Sequence, residues 1–235
     1  MTKEIEEYFA KFNLTWNDVK NKLIESGLTD IANEISDCIR NPEKPCPLQI
    51  SSFAMSSIIL KNVKNVLEIG TSAGKSAFAL SRLFPKSMIY TIDIGEPDPN
   101  YSISYKGIQE GLSTEERRLA FEKNTMAENI KFIESNSFFL PSLDLPEKFE
   151  LIFVDGDHNF PQVAGDIMFA YSRIRSGGFL FMHDYNMPEK FANDVKETVD
   201  WVEARIKEKV IFLLGNTMPS IGKMALIVKA DGGEG

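Results

Sequence analysis

Cysteine and histidine are scarce in this sequence, two of each in 235 residues. Cys38 and Cys46 stand in a helical stretch and a proline-rich turn, at a spacing that fits neither a zinc site nor a redox motif. Two reduced thiols are expected. Long apolar runs are missing as well. The opening MTKEIEEYFAKF is charged and amphipathic rather than basic and then apolar, and no run approaches the length of a membrane span. A cytoplasmic protein without membrane contact is expected. Positive charge is in deficit: 26 Lys and Arg against 34 Asp and Glu leave a formal net charge of -8. Nucleic-acid backbones are bound mainly through Lys and Arg, so the expected partner is a small molecule and not a nucleic acid. Repeats and low-complexity tracts are absent, and 43% hydrophobic with 26% charged residues is ordinary for a globular chain.

What is present is periodic. Ile5, Tyr8, Phe9 and Phe12, then Ile31, Ile35, Cys38 and Ile39, keep helical spacing, with Thr15 and Thr29 placed as N-caps. Residues 1 to about 41 therefore read as short helices. Three prolines between Asn41 and Pro47 make an extended connector before a further helix near Ser51 to Leu60. From Asn65 onward short apolar runs alternate with helical stretches. VLEIG leads into a helix to about Phe84, then MIYTIDI, a long loop, and a helix near Thr114 to Ala127. IKFIE and LIFVDGD follow, then a helix near Val163 to Ile174, GGFLFMHD, a helix near Glu189 to Lys207, VIFLLGN and KMALIVK. The last two runs are joined by a turn too short for a crossover helix, so they should pair antiparallel. The expected fold is α/β: a helical extension over residues 1–60, then residues 61–235 as a mostly parallel seven-stranded sheet with a final antiparallel strand.

The run Val66 to Gly74 is a strand of buried type entering a glycine turn and then a helix. Gly70 and Gly74 allow a tight turn and close approach of backbone to a ligand. Asp93 ends the next strand 19 residues after Gly74, where a carboxylate can accept hydrogen bonds from ribose hydroxyls. The glycines follow E-x-G-x-x-x-G, so the dinucleotide fingerprint is not met. Gly74-Lys75-Ser76 ends like a P-loop, but Ile69 occupies the place of its first glycine.

These residues resemble motif I of the class I S-adenosylmethionine-dependent methyltransferases, with Glu68 as its acidic member. The resemblance covers about residues 48 to 229 and implies a Rossmann-like fold. It implies a cofactor site at Glu68, Gly70, Thr71, Ser72, Gly74, Ser76, Asp93, Ile94, Asn136, Ser137 and Asp155, with Asn136 beside the adenine.

Both histidines stand at strand ends, His158 in FVDGDH and His183 in FMHDY, where a parallel sheet opens onto its ligand crevice. This part of the chain looks like the catechol and caffeoyl-CoA branch of small-molecule O-methyltransferases. The resemblance implies Asp155 and Asp184 as ligands of Mg²⁺ or another divalent cation, with two departures: His158 stands where that branch has a Lys, and Tyr185 where it has an Asn. An acceptor oxygen must be aligned with the sulfonium methyl and lose its proton, which a cation on two carboxylates and a histidine titrating near neutrality would accomplish. Asp155 and His158 are thus the expected catalytic residues. The loop from Gly95 to Ser113, with Tyr101 and Tyr105, joins Phe160 and Tyr185 as candidate lining of an acceptor pocket. The N-terminal helices either cap that pocket or build a homodimer. Hydroxylases and aminopropyl transferases resemble the same scaffold, and a non-catalytic cofactor-binding module is the reading from another class.

Overall fold

The computed structural model describes residues 2–41, 47–95, 98, 113–185, 194–213 and 223–230. Four helices come first: α1 (Thr2–Ala10), α2 (Trp16–Glu25), α3 (Thr29–Arg40) and α4 (Leu48–Ile59). Thr15 caps α2 through a reciprocal pair, its hydroxyl accepting from the Asp18 amide at 3.2 Å while its own amide donates to Asp18 Oδ2 at 2.8 Å. The expected cap at Thr29 is not found. Gly27 turns the chain at φ +76° and Leu28, buried, takes the N-cap position, which places Thr29 inside the first turn of α3. α4 starts directly after Pro47, three residues earlier than the sequence indicated.

The remaining elements alternate as expected. β1 (Asn65–Ile69), α5 (Lys75–Leu83), β2 (Met88–Asp93), α6 (Thr114–Thr125), β3 (Ile130–Glu134) and a 3₁₀ turn (Ser137–Ser142) come first. β4 (Phe149–Val154), α7 (Gln162–Arg173), β5 (Ile174–Tyr185), α8 (Asp194–Glu203), β6 (Val210–Leu213) and β7 (Lys223–Val228) complete the chain. The strands form one seven-stranded sheet in the order β3-β2-β1-β4-β5-β7-β6. Its first five strands pair in parallel, and β7 runs antiparallel to both β5 and β6. The chain moves outward from β1 to β3 and returns to β4 beside β1, so the strand order reverses between them, where open α/β sheets form ligand crevices. Of the 95–113 loop only Gly95, Asp98 and Ser113 are described, so Tyr101 and Tyr105 lie outside the described residues, as does Cys46.

Alternation along each strand feeds two cores. Val66, Ile89, Leu151, Phe153, Phe179 and Phe181 face α1 to α5, while Leu67, Ile92, Ile152, Val154, Leu180 and Met182 face α7 and α8. Because both faces are covered, β4 is buried at every position, which explains its apolar run from Leu151 to Val154. α4 lies so deep that Ser51 and Ser56 return their hydroxyls to the backbone, donating to Leu48 O at 2.6 Å and Ser52 O at 2.7 Å. Phe53 projects from it against Phe153 and Phe181, with ring centroids 4.9 Å and 5.9 Å away. No described helix is long and apolar enough to cross a membrane. Replacing Phe53 by Ala should cost about 3–5 kcal/mol of stability in urea unfolding, because the cavity lies between helix and sheet. A loss below about 1 kcal/mol would mean that the helical layer is not part of the cooperative core.

Candidate functional site

The turn after β1 is held by three separate constraints. Gly70 adopts φ +96°, and a Cβ there would lie 2.0 Å from the Asp155 carbonyl oxygen. Gly74 adopts φ +74° beneath α6, where a Cβ would approach Asn124 Cβ to 3.0 Å and where Asn124 Nδ2 donates to Ala73 O at 2.8 Å. Between them, Asp93 Oδ2 accepts from the amides of Thr71 at 2.8 Å and Ser72 at 2.7 Å, while Oδ1 accepts from the Ile94 amide at 2.8 Å. Asp93 thus braces the turn from the neighbouring strand. Under the turn lies Glu68, fully buried, with Oε2 accepting from Thr91 Oγ1 and Thr91 Oγ1 in turn 2.6 Å from Thr71 Oγ1. Burial, opposed by the Thr91 hydrogen bond and reinforced by Asp155 and Asp93, raises the Glu68 carboxyl well above the usual carboxylate range.

The turn opens onto a cleft of about 540 Å³ outside the ends of β1, β2, β4 and β5. Clefts that hold ligands of cofactor size run from about 300 to 1,000 Å³. Of the residues expected to contact a cofactor, Gly70, Ser72, Asp93, Ile94, Asn136, Ser137 and Asp155 line this cleft. Glu68 and Thr71 lie beneath the turn, and Gly74 and Ser76 stand at the start of α5, so these four do not line the wall. Asn136 is engaged on both sides of its amide, with Oδ1 accepting from the Phe138 amide and Nδ2 donating to Asp98 Oδ2, each at 3.0 Å. Phe160 lines the cleft and Tyr185 does not: its hydroxyl donates to Asp200 Oδ1 at 2.9 Å and its ring lies 4.5 Å from that of Phe212. No described residue of 1–60 reaches the cleft.

At the far end of the cleft Asp155, His158 and Asp184 bring one ligand atom each within 4.8 Å of one another. His158 Nε2 is 3.2 Å from Asp184 Oδ2 and 3.8 Å from Asp155 Oδ1. His183, whose function the sequence did not disclose, joins them: its buried Nδ1 lies 3.1 Å from Asp155 Oδ1 and 3.1 Å from Asp184 Oδ1, without the alignment of a hydrogen bond to either. Consecutive strand residues ordinarily face opposite sides. Asp184 escapes that rule by adopting φ +54°, where the β5–β7 register also shifts, so His183 and Asp184 both face the cleft. Left-handed backbone at a non-glycine residue is a cost that tends to persist at functional sites. Burial would raise the Asp155 carboxyl, but His183 and His158 outweigh it and bring it down to about 2. Contact with Asp155, opposed by burial and aided by Asp184, raises His158 above the usual imidazole range. Burial disfavours charge on His183, yet Asp155 and Asp184 raise it well above that range. Two carboxylates facing two imidazoles, one nitrogen of which has no hydrogen-bond partner among the described residues, make a donor set that fits a divalent cation.

A second polar group missed from the sequence forms the wall beside Ser137. Gln162 and Asp166 stand one turn apart on α7, and Gln162 Nε2 donates both to Asp166 Oδ1, at 2.9 Å, and to Ser137 Oγ. Asp166 is a polar intrusion on the buried stripe of Val163, Ile167 and Ala170, which is the signal that could have found it. Its Oδ2 has no partner among the described residues, and a Cβ on Gly156 would lie 3.2 Å from it. Burial, opposed by hydrogen bonds from Ser137 and Gln162 and aided by Asp157, pushes the Asp166 carboxyl up to about 6. A raised carboxyl pKa means that the folded state holds the proton more tightly, so stability falls as pH climbs from about 4 through 6. Asp166→Asn should therefore gain on the parent protein by up to about 3 kcal/mol between pH 4 and pH 8 in urea unfolding, whereas a pH-independent difference would contradict this account.

Comparison with known proteins follows the same lines. The methyltransferase domain family matches residues 67–185, just over half of the chain. Among curated proteins the chain is similar to an uncharacterized protein of Acanthamoeba polyphaga mimivirus, 29% identical over 146 residues. That match spans 57% of this chain and 61% of the relative, less than two thirds of its length. Solved structures with the same fold include the O-methyltransferase TomG from Streptomyces achromogenes in complex with SAM, at TM-score 0.56 and 17% identity over 97% of this chain and 96% of that one. An SAH-bound methyltransferase from Podospora anserina shares TM-score 0.56 and 18% identity over 89% and 88% of the two chains. An rRNA methylase from Streptococcus thermophilus shares TM-score 0.54 and 15% identity over 80% and 98%. The chain belongs to the methyltransferase domain family, with the fold of the class I S-adenosylmethionine-dependent methyltransferases.

Proposed function

We propose that this protein transfers a methyl group from S-adenosylmethionine to a hydroxyl of a small molecule, assisted by a divalent cation. The observation that carries the reading is the convergence of Asp155, His158, His183 and Asp184 on the cleft that the Gly70 turn and Asp93 also line. Glycine turn, strand-end acid and metal-type donors share one cavity.

The cofactor residues divide by task. Gly70, Ser72, Asp93, Ile94, Asn136, Ser137 and Asp155 form the contact wall, while Glu68, Thr71, Gly74 and Ser76 fix the shape of the turn and the first turn of α5 behind it. Three backbone donors already hold Asp93 in place, and its carboxylate has further acceptor capacity for ribose hydroxyls. When bound, S-adenosylmethionine supplies an electrophilic methyl group, and a cation on Asp155 and Asp184 supplies positive charge beside the acceptor oxygen. His183 Nδ1, 3.1 Å from an oxygen of each carboxylate, would add a nitrogen to that donor set. His158, whose Nε2 lies 3.2 Å from Asp184 Oδ2, would take the acceptor's proton on its imidazole.

A small acceptor is supported by the net charge of -8 and by the acidic end of the cleft, neither of which suits a phosphate backbone. Phe160, 69% exposed at the cleft, gives that acceptor an apolar surface to rest on. Radiolabelled methyl transfer to a panel of hydroxylated small molecules and to ribosomal RNA fragments, with Mg²⁺ or Mn²⁺ and then with chelator, tests this reading. Product with a small acceptor and loss on chelation are expected; product with RNA alone would overturn it. His158→Ala should lower turnover by about 10²- to 10⁴-fold with cofactor affinity nearly intact, and unchanged turnover would remove His158 from the chemistry.

A further inference from the structure

Gln162 lines the cleft with an amide whose orientation is dictated from behind. Its Nε2 has two hydrogens, and both are committed, one to the Asp166 carboxylate at 2.9 Å and one to Ser137 Oγ. An ionised carboxylate can only accept. Turning the amide over would set Oε1 against Asp166 Oδ1, two acceptors with no proton between them, so the orientation is locked. Oε1 receives no donor from the described residues, and Gln162, only 7% exposed, lines the cleft. The wall therefore offers a fixed, nearly buried acceptor, and a ligand group that meets it without a hydrogen to donate would leave it unsatisfied, at a cost.

The position of Gln162 indicates which part of the ligand it meets. The ribose is bracketed by Asp93, and the reacting centre by the carboxylate and imidazole cluster at the ends of β4 and β5. A purine attached to that ribose has one wall left to lie against, the one made by Ile94, Ser137, Phe138 and Gln162. Along its Watson–Crick edge adenine carries its hydrogen donor on the exocyclic amine, with an acceptor beside it; hypoxanthine carries an oxygen in the amine's place.

We propose that Gln162 reads the exocyclic amino group of the cofactor's adenine through Oε1, with Asp166 and Ser137 as positioning residues that hold the amide in register. The assignment rests on the S-adenosylmethionine reading of the cleft. It makes the helix after β4, and not only the loop after β3, a determinant of base identity.

The test uses calorimetric titration of the full chain with S-adenosylhomocysteine and with S-inosylhomocysteine, which differ only at the purine edge. The parent protein should prefer the adenosyl compound by at least about tenfold. In Gln162→Ala the preference should shrink to within about twofold, adenosyl binding weakening while inosyl binding holds. Ser137→Ala should lie between them, since it frees one hydrogen of the amide. Equal affinity of the parent protein for both compounds, or a Gln162→Ala loss identical for both, would overturn the assignment while leaving the cofactor reading standing. The first of these comparisons changes only the ligand, so equal affinity would overturn the assignment even if a variant fails to fold. No binding of S-adenosylhomocysteine would overturn the cofactor reading and this assignment with it.

Discussion

Gly70 meets the end of β4 so closely that no side chain fits between them. A Cβ would stand 2.0 Å from the Asp155 carbonyl oxygen, at a φ of +96° that other residues rarely adopt. That contact joins two pieces of machinery. On one side is the turn that Asp93 braces; on the other is Asp155, which with Asp184 faces both imidazoles. The parallel register of β1 with β4, Ile69 beside Val154, brings the ends of these strands level. The helix layers then fix the sheet, with Phe53 against Phe153 on one face and α7 against Ile152 and Val154 on the other.

Electrostatics at the cleft depends on that proximity. Asp155, Asp184, His158 and His183 would each be costly to bury charged and alone, and together they offset one another. The arrangement requires an irregular strand end, since His183 and Asp184 are neighbours in sequence and must face the same way. The left-handed φ of Asp184 and the shifted register toward β7 supply it. Tyr185, released by the same irregularity, turns to Asp200 and Phe212 and contributes nothing to the cleft. In the proposed cation site, the nitrogen of His183, two residues earlier in the chain, would stand in for the oxygen ligand that an Asn at position 185 would offer.

Period-two and period-3.6 patterns made most of the fold legible, because a sheet covered on both faces turns strands into apolar runs as unmistakable as LIFV in β4. The antiparallel close followed from a connection too short for a crossover. Thr29 misled because a threonine before a helical run looks like a cap whether or not the preceding turn leaves it that position. Within the cleft, Gly70, Asp93 and the aspartates were legible as residue types at strand ends. His183 was not, since its orientation depends on a backbone irregularity that alternation forbids. Gln162 and Asp166 were hidden for a related reason: their meaning comes from Ser137, 25 residues before Gln162 in the chain, across a contact between the 3₁₀ turn and α7.

The most direct test of the account is calorimetric titration of the protein with S-adenosylmethionine, beside an Asp93→Ala variant shown to be folded. Saturable one-site binding by the parent protein, abolished or greatly weakened when Asp93 no longer braces the turn and meets the ribose, is the predicted result. No binding by the parent protein, or binding indifferent to Asp93, would contradict the assignment of this cleft to the cofactor.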